Sequence, residues 1–91
     1  MRRDYSDLEL GALILDWLMR HGRWGARYFP LDTLVNRLSR VVRNNGRRIR
    51  KSVKQLIQEG YLLIHKRGET VSLNPSLNRD ILEYVKGVLG I

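Results

Sequence analysis

The residues in this chain that could do chemistry are mainly its basic side chains, and they are concentrated in one stretch. Residues 33–58 contain eight Lys and Arg and no Asp or Glu. The rest of the chain has nine basic and nine acidic residues, so the formal net charge of +8 comes entirely from this basic stretch. Charge concentrated in this way favours a surface that binds a polyanion, and nucleic acid is the commonest polyanion in a cell. The alternative is a basic face that only keeps the protein soluble.

Helical periodicity places several of these side chains on one exposed face. A helix from about Arg47 to Glu59 would bury Ile49, Val53, Leu56 and Ile57. Its opposite face would carry Arg47, Lys51, Lys54 and Gln55, with Arg48 and Arg50 at the flanks. The candidate nucleic-acid-binding residues are the eight basic side chains of the stretch, three of its amide side chains and two cations of a later loop: Arg37, Arg40, Arg43, Asn44, Asn45, Arg47, Arg48, Arg50, Lys51, Lys54, Gln55, Lys66 and Arg67.

Catalytic and metal-binding chemistry is poorly represented. The chain has no cysteine, which excludes disulfides, thiolate zinc sites and cysteine nucleophiles. Its two histidines, His21 and His65, would need carboxylates to complete a metal site. No pair of side chains resembles a nucleophile with its base. The sequence therefore predicts a protein that is not an enzyme, with no metal, no cofactor and no evident small-molecule ligand.

The first half of the chain predicts two helices before the basic one. Ser6-Asp7-Leu8-Glu9 has the spacing of a capping box, which predicts a helix from there to His21, with Gly22 after its end. A short extended segment at Arg27–Pro30 follows. Asp32 is then expected to cap a second helix that fades between Arg40 and Val42, and Asn44-Asn45-Gly46 is expected to form a turn.

The second half predicts a hairpin and a last helix. Residues 61–66 and 70–73 are two short β-prone runs around Arg67-Gly68. Asn74-Pro75 then stops the strand and starts a helix, with Asn74 as its cap. The expected order is helix, strand, helix, helix, hairpin, helix. This is one mainly α domain over residues 1–91 with a small β-hairpin.

At the end of the basic helix the chain resembles the winged helix-turn-helix family. There an apolar helix end is followed by Gly60, by the hydrophobic strand Tyr61-Leu62-Leu63-Ile64 and by the charged tip His65-Lys66-Arg67-Gly68-Glu69. The resemblance covers residues 6–73 and leaves residues 75–91 as a C-terminal helix and candidate dimerisation element. Val71–Pro75 and the Arg-rich, cysteine-free composition are similar to small archaeal winged-helix proteins.

The resemblance implies that the basic helix enters the major groove of double-stranded DNA and that the hairpin touches the backbone or minor groove. Side chains on the outer face of such a helix reach base edges, where Arg can fork onto guanine and Gln can pair with adenine. The expected function is a transcriptional regulator or chromatin-type binder. The alternative is an RNA- or ribosome-associated winged-helix protein, or an adaptor subunit of a nucleoprotein complex.

One departure from compact helix-turn-helix units concerns the connection before the basic helix. The number of residues between Leu38 and Gly60 exceeds that of such units by roughly one helical turn. Either the second helix continues through Val42, or a real loop carries Arg43.

Surplus apolar surface on the first and last helices predicts a homodimer. Leu10, Leu13 and Trp17 lie on one side of the first helix, and Leu82 and Leu89 lie on an apolar edge of the last one. These five residues are the expected interface; the alternative is that the last helix covers the first within one chain.

The longest apolar run, Ala12–Leu15, is far too short to span a membrane, and Asp4, Asp7 and Glu9 interrupt any secretory signal. The expected location is cytoplasmic, associated with the nucleoid.

Overall fold

A computed structural model describes residues 4–43 and 45–90. Within these ranges the chain forms four helices: α1 (Asp7–Arg20), α2 (Leu31–Leu38), α3 (Asn45–Gln58) and α4 (Asn78–Leu89). It also forms three short strands: β1 (Phe29–Pro30), β2 (Leu62–His65) and β3 (Thr70–Leu73). The predicted class, mainly α with a small β-hairpin, is confirmed.

The sheet is antiparallel, with β3 between β1 and β2. The predicted hairpin is β2–β3, in which Leu62 lies opposite Leu73 and His65 lies opposite Thr70. The extended segment that the sequence predicts near Pro30 becomes the third strand, with Phe29 opposite Val71. Periodicity indicated that segment but could not indicate its partner, because the pairing joins residues about forty positions apart.

The start and end of α1 are as predicted. The Ser6 side chain accepts a hydrogen bond from the Glu9 amide (3.1 Å), and the Glu9 carboxylate accepts one from the Ser6 amide (2.9 Å). These reciprocal bonds satisfy two amides that a helix start leaves without partners. After the last turn, Gly22 has φ of +64°, a left-handed conformation that glycine adopts without steric strain.

The apolar circumference of α1 is covered within the chain except at Leu8, which is 63% exposed. Leu10, Ile14, Leu15 and Leu18 are fully buried. α1 packs against α3 and β3, and α4 packs along it more extensively than any other element. Ile81 and Val85 are the buried residues of α4. The alternative to the dimer interpretation, that the last helix covers the first, therefore accounts for most of the surplus apolar surface.

The connection between α2 and α3 corrects three predictions. α2 ends at Leu38 and a loop through Arg43 follows, so the second helix does not reach Val42, which is buried in the core instead. Asp32 does not cap α2; Pro30 occupies the cap position, and no side chain bonds there. Gly46 lies inside α3, which begins at Asn45, rather than in a turn.

Close packing explains the position of Gly46. A Cβ atom there would lie 3.3 Å from Cγ1 of Val35, so the glycine allows the first turn of α3 to approach α2 closely. The early start of α3 therefore comes from tertiary packing, which overrides the turn preference of Asn-Gly.

The entry to α4 is two-staged. Asn74 caps a single 3-10 turn over Pro75–Leu77 by accepting a hydrogen bond from the Ser76 amide (3.0 Å), and α4 begins only at Asn78. The predicted cap is confirmed, although the first turn is 3-10 rather than α.

None of the helices in the described ranges combines the length and apolar character that crossing a bilayer requires.

Candidate nucleic-acid interface

The exposed face of α3 carries the predicted polar and basic residues. Ile49, Val53 and Leu56 are buried, which turns the opposite side of the helix to solvent. The exposed side chains there are those of Arg47, Lys51, Lys54, Gln55 and Gln58, which we call the α3 crest. Sequence reasoning did not select Gln58. Its position eleven residues after Arg47, about three helical turns, is the signal that would have found it.

Two arginines at the flanks of α3 form ion pairs with acids of the neighbouring helices. Nη2 of Arg50 lies 2.6 Å from Oδ1 of Asp32, at the start of α2. Nη2 of Arg48 lies 3.0 Å from Oδ1 of Asp7, at the start of α1, and also donates to the main-chain carbonyl of Tyr5. The sequence placed both arginines at the flanks correctly but did not predict these partners.

The loop before α3 holds a third ion pair. Nη1 of Arg43 lies 3.8 Å from Oδ2 of Asp4. Within the described residues, the other five cations of the basic stretch form no ion pair, and all five are exposed: Arg37, Arg40, Arg47, Lys51 and Lys54. Since like charges repel one another across this surface, a polyanion that meets it relieves the repulsion as well as forming contacts.

The tip of the β2–β3 hairpin presents two more cations on a strained backbone. Lys66 and Arg67 are exposed and have φ of +50° and +57°, followed by Gly68 at +88°. A left-handed conformation disfavours any residue with a Cβ atom by about 1 kcal/mol or more. Residues held in such disfavoured backbone conformations are often found at binding sites.

An aromatic pair lies beside the tip of this hairpin. The rings of Tyr28 and His65 are 3.7 Å apart between centroids, with Tyr28 exposed and His65 half-buried. Sequence reasoning did not select Tyr28, and no local signal could have done so. The pair forms only because β3 brings the loop before β1 beside the end of β2.

The five residues predicted for a dimer interface lie in different surroundings. Leu10 is 0% exposed and belongs to the core, so it cannot contact a partner, and this part of the prediction is wrong. Trp17 stacks on His21 at 3.7 Å and lies against Phe29 at 4.8 Å between ring centroids. Two more, Leu13 and Leu89, are half-buried against the core, and the last, Leu82, is 40% exposed.

Two of the candidate residues have little or no structural description. Asn44 lies outside the described residues, and Asn45 begins α3.

In the described ranges, no three His, Asp or Glu side chains are grouped as metal ligands. The carboxylates that the structure does bring close to the basic stretch are those of Asp4, Asp7 and Asp32, each in an ion pair with arginine.

Comparison with protein-family models, with curated proteins and with solved structures finds no match to this chain. The features of this chain that indicate a function are therefore the geometry and charge of the α3 crest, its flanking arginines and the hairpin tip.

Proposed function

We propose that this chain is a winged helix-turn-helix protein that binds double-stranded DNA, either as a transcriptional regulator or as a chromatin-type binder. The observation that carries the proposal is the α3 crest. Its three cations, Arg47, Lys51 and Lys54, point to solvent without an acid partner among the described residues. A helix with such a face matches the dimensions and the charge of the DNA major groove.

The length and support of α3 suit this role. The helix has 14 residues and so spans about 20 Å. Its buried residues Ile49, Val53 and Leu56 hold it in the core, and the ion pair of Arg50 with Asp32 links it to α2, which leaves the crest free. A helix held in this way loses little conformational entropy when it binds, which favours affinity.

The polar residues of the crest give it a means of reading base edges. Arg47 can fork onto the two acceptors of guanine, and Gln55 or Gln58 can pair with the donor and acceptor of adenine. Lys51 and Lys54 are suited to phosphate contacts, which position the helix without carrying sequence information. We propose the same positioning role for Lys66 and Arg67 at the hairpin tip.

A triple variant tests the crest. We expect Arg47→Ala, Lys51→Ala and Lys54→Ala together to weaken binding to a short DNA duplex by about 100-fold or more at moderate salt, because three phosphate or base contacts are lost. The fold should persist, since the three side chains are exposed. Fluorescence anisotropy measures the affinity, and circular dichroism with thermal unfolding measures the fold.

A matched control separates the site from the overall charge. Arg20, Arg79 and Lys86 are exposed cations on α1 and α4, and their joint replacement by Ala lowers the net charge by the same three units. We expect this control to change duplex affinity by less than about threefold. Undiminished binding by the crest variant, or an equal loss in both variants, would contradict the assignment of the crest.

The same titration distinguishes DNA from RNA as the partner. A duplex, a structured RNA hairpin and a single strand of equal length are compared under the same salt conditions. We expect the DNA duplex to bind most tightly, because the major groove of an RNA helix is too deep and narrow for side chains to read. Tighter binding to the RNA hairpin would favour a subunit of an RNA–protein assembly.

A further inference from the structure

Two arginines of the basic stretch are held by acids from one short segment at the start of the described chain. Arg43 pairs with Asp4 at 3.8 Å, and Arg48 pairs with Asp7 at 3.0 Å and donates to the carbonyl of Tyr5. All of these oxygen acceptors lie within four consecutive residues, so one segment occupies both guanidinium groups.

Asp7 lies beside the α3 crest. Asp7 and Arg48 line a crevice between α1 and α3 together with Lys51, Ser52 and Gln55. Lys51 and Gln55 belong to the crest, so the carboxylate of Asp7 occupies a position where an anion would meet both a flanking arginine and a crest lysine. A carboxylate and a phosphodiester present similar oxygen atoms to a guanidinium group, which binds either one through charge-assisted hydrogen bonds.

We propose that Arg43 and Arg48 form a phosphate-binding site that Asp4 and Asp7 occupy in the free protein, and that a DNA phosphate displaces these acids on binding. The inference rests on the proposed function and adds a site to it. In this arrangement the segment acts as an internal competitor, so the free protein binds the backbone less tightly than its arginines would allow.

The exposure of the acids makes the exchange feasible. The side chain of Asp4 is 68% exposed and that of Asp7 is 86% exposed. An exposed ion pair of this kind raises the population of the paired state by about fivefold at most. Asp7 is the first residue of α1 and Tyr5 packs against the core, so the exchange does not move the backbone; it requires only that the exposed carboxylates of Asp4 and Asp7 rotate away from the arginines.

The pair between Arg50 and Asp32 lies apart from this crevice. Asp32 lies at the start of α2 and does not line the crevice beside the α3 crest, whereas Asp7 does. We therefore assign a bracing role to Arg50 and an exchanging role to Arg48.

A double-mutant cycle on the full chain tests the exchange. Duplex affinity is measured for wild type, for Arg48→Gln, for Asp4→Asn with Asp7→Asn, and for the combination. If the acids compete with phosphate, their removal tightens duplex binding by about threefold to fivefold. The loss caused by Arg48→Gln then becomes larger by about the same factor in the Asn background, because the arginine there is free to meet phosphate.

A remote charge control excludes a general electrostatic effect. Asp80→Asn with Glu83→Gln also removes two negative charges, but from the exposed surface around the start of α4. We expect this control to tighten binding by less than about twofold, since screening weakens charges beyond a Debye length.

The outcomes distinguish failure of the exchange site from failure of the proposed DNA binding. Equal losses from Arg48→Gln in both backgrounds, or equal tightening by the control, would overturn the exchange site while duplex binding by wild type still stands. Wild-type protein that binds no duplex would overturn the proposed function and this site together. Thermal unfolding of each variant shows whether the fold is intact, and the cycle compares affinities only between folded proteins.

Discussion

At the scale of single residues, the hairpin tip shows a conflict between backbone preference and side-chain use. Lys66 and Arg67 adopt left-handed conformations that glycine or asparagine would adopt with less strain. The side chains that remain at these positions are two exposed cations. The strain is thus consistent with a contribution of the charges to binding, and paired substitutions at one position can separate the two effects.

Arg67→Gly and Arg67→Ala form such a pair. Both remove the charge, so we expect both to weaken binding to every duplex by a similar factor of about threefold to tenfold. Only glycine relieves the left-handed backbone, so Arg67→Gly should raise the free energy of unfolding by about 1 kcal/mol relative to Arg67→Ala. Urea unfolding and anisotropy titration measure the two quantities. Equal stability of the two variants would show that the tip stores no such strain.

Tyr84 gives a pH-dependent prediction. Burial chiefly, and then the negative charge of Glu59 and of ionised Tyr61, raise the pKa of Tyr84 above its usual value of 10.0. The hydroxyl donates to the Leu8 carbonyl at 3.0 Å, a bond that only the neutral phenol can make. The folded state therefore holds this proton more tightly than the unfolded state, so the contribution to stability is complete below about pH 10 and falls as the pH rises through the folded pKa.

The variant that isolates this contribution is Tyr84→Phe. It should be about 1 kcal/mol less stable near neutral pH because the hydrogen bond is lost. Its stability should also decline less steeply than that of wild type above about pH 10, where other groups titrate equally in both proteins. Urea unfolding across this pH range measures the difference, and parallel declines would contradict a raised pKa.

At the scale of elements, much of the architecture follows from local patterns. The capping box of α1, the buried stripe of α3 and the hairpin around Gly68 were predicted, because each depends on residues close in sequence. α3 starts at Asn45, two residues before the predicted start at about Arg47, because Gly46 packs closely on Val35; its end, Gln58, is within one residue of the prediction. The ion-pair partners of Arg48 and Arg50 were not predicted, since they lie 41 and 18 residues away in sequence.

The same distinction holds for the candidate site. The face of α3 that reaches solvent could be predicted from periodicity alone, and the charges on it follow from the sequence. Which of these charges are already paired depends on how α1 and α2 approach α3, and no local pattern encodes that approach. Tyr28 was missed for the same reason, because its contact with His65 crosses between separate parts of the chain.

α4 carries none of the proposed DNA-binding residues, so a substitution there tests its packing alone. A Cβ atom at Gly87 would meet nothing within 4 Å, so a side chain fits there without displacing a neighbour. We expect Gly87→Ala to raise the free energy of unfolding by about 0.5–1 kcal/mol, since alanine loses less conformational entropy in a helix. Thermal unfolding measures the gain. An unchanged or lower stability would contradict the packing described for α4, and duplex affinity should not change.

At the scale of the whole molecule, the homodimer stays a prediction with a smaller surface. Leu10 is buried and α4 covers α1, so of the five residues predicted for the interface only Leu82 is exposed, beside the half-buried Met19 and Trp24. A patch of this size is below what a stable interface buries, so we expect association only at high protein concentration. Sedimentation equilibrium should then show a mass that rises above 10.7 kDa with concentration and does so less for Leu82→Glu. A constant mass of 10.7 kDa would exclude the dimer.

The proposed DNA binding depends on how positive charge is distributed over the molecule. Five exposed cations of the basic stretch have no ion-pair partner among the described residues, and Lys66 and Arg67 add two more at the hairpin tip. If about six of these charges meet phosphates, their binding releases the counterions that those phosphates had condensed. Affinity must then depend steeply on salt concentration.

The most direct measurement is the affinity of the wild-type protein for a short DNA duplex over a series of salt concentrations. We expect the logarithm of the association constant to fall linearly with the logarithm of salt concentration, with a slope of about −5 per bound protein. Absence of duplex binding at low salt, or a slope close to zero, would contradict the proposed DNA binding.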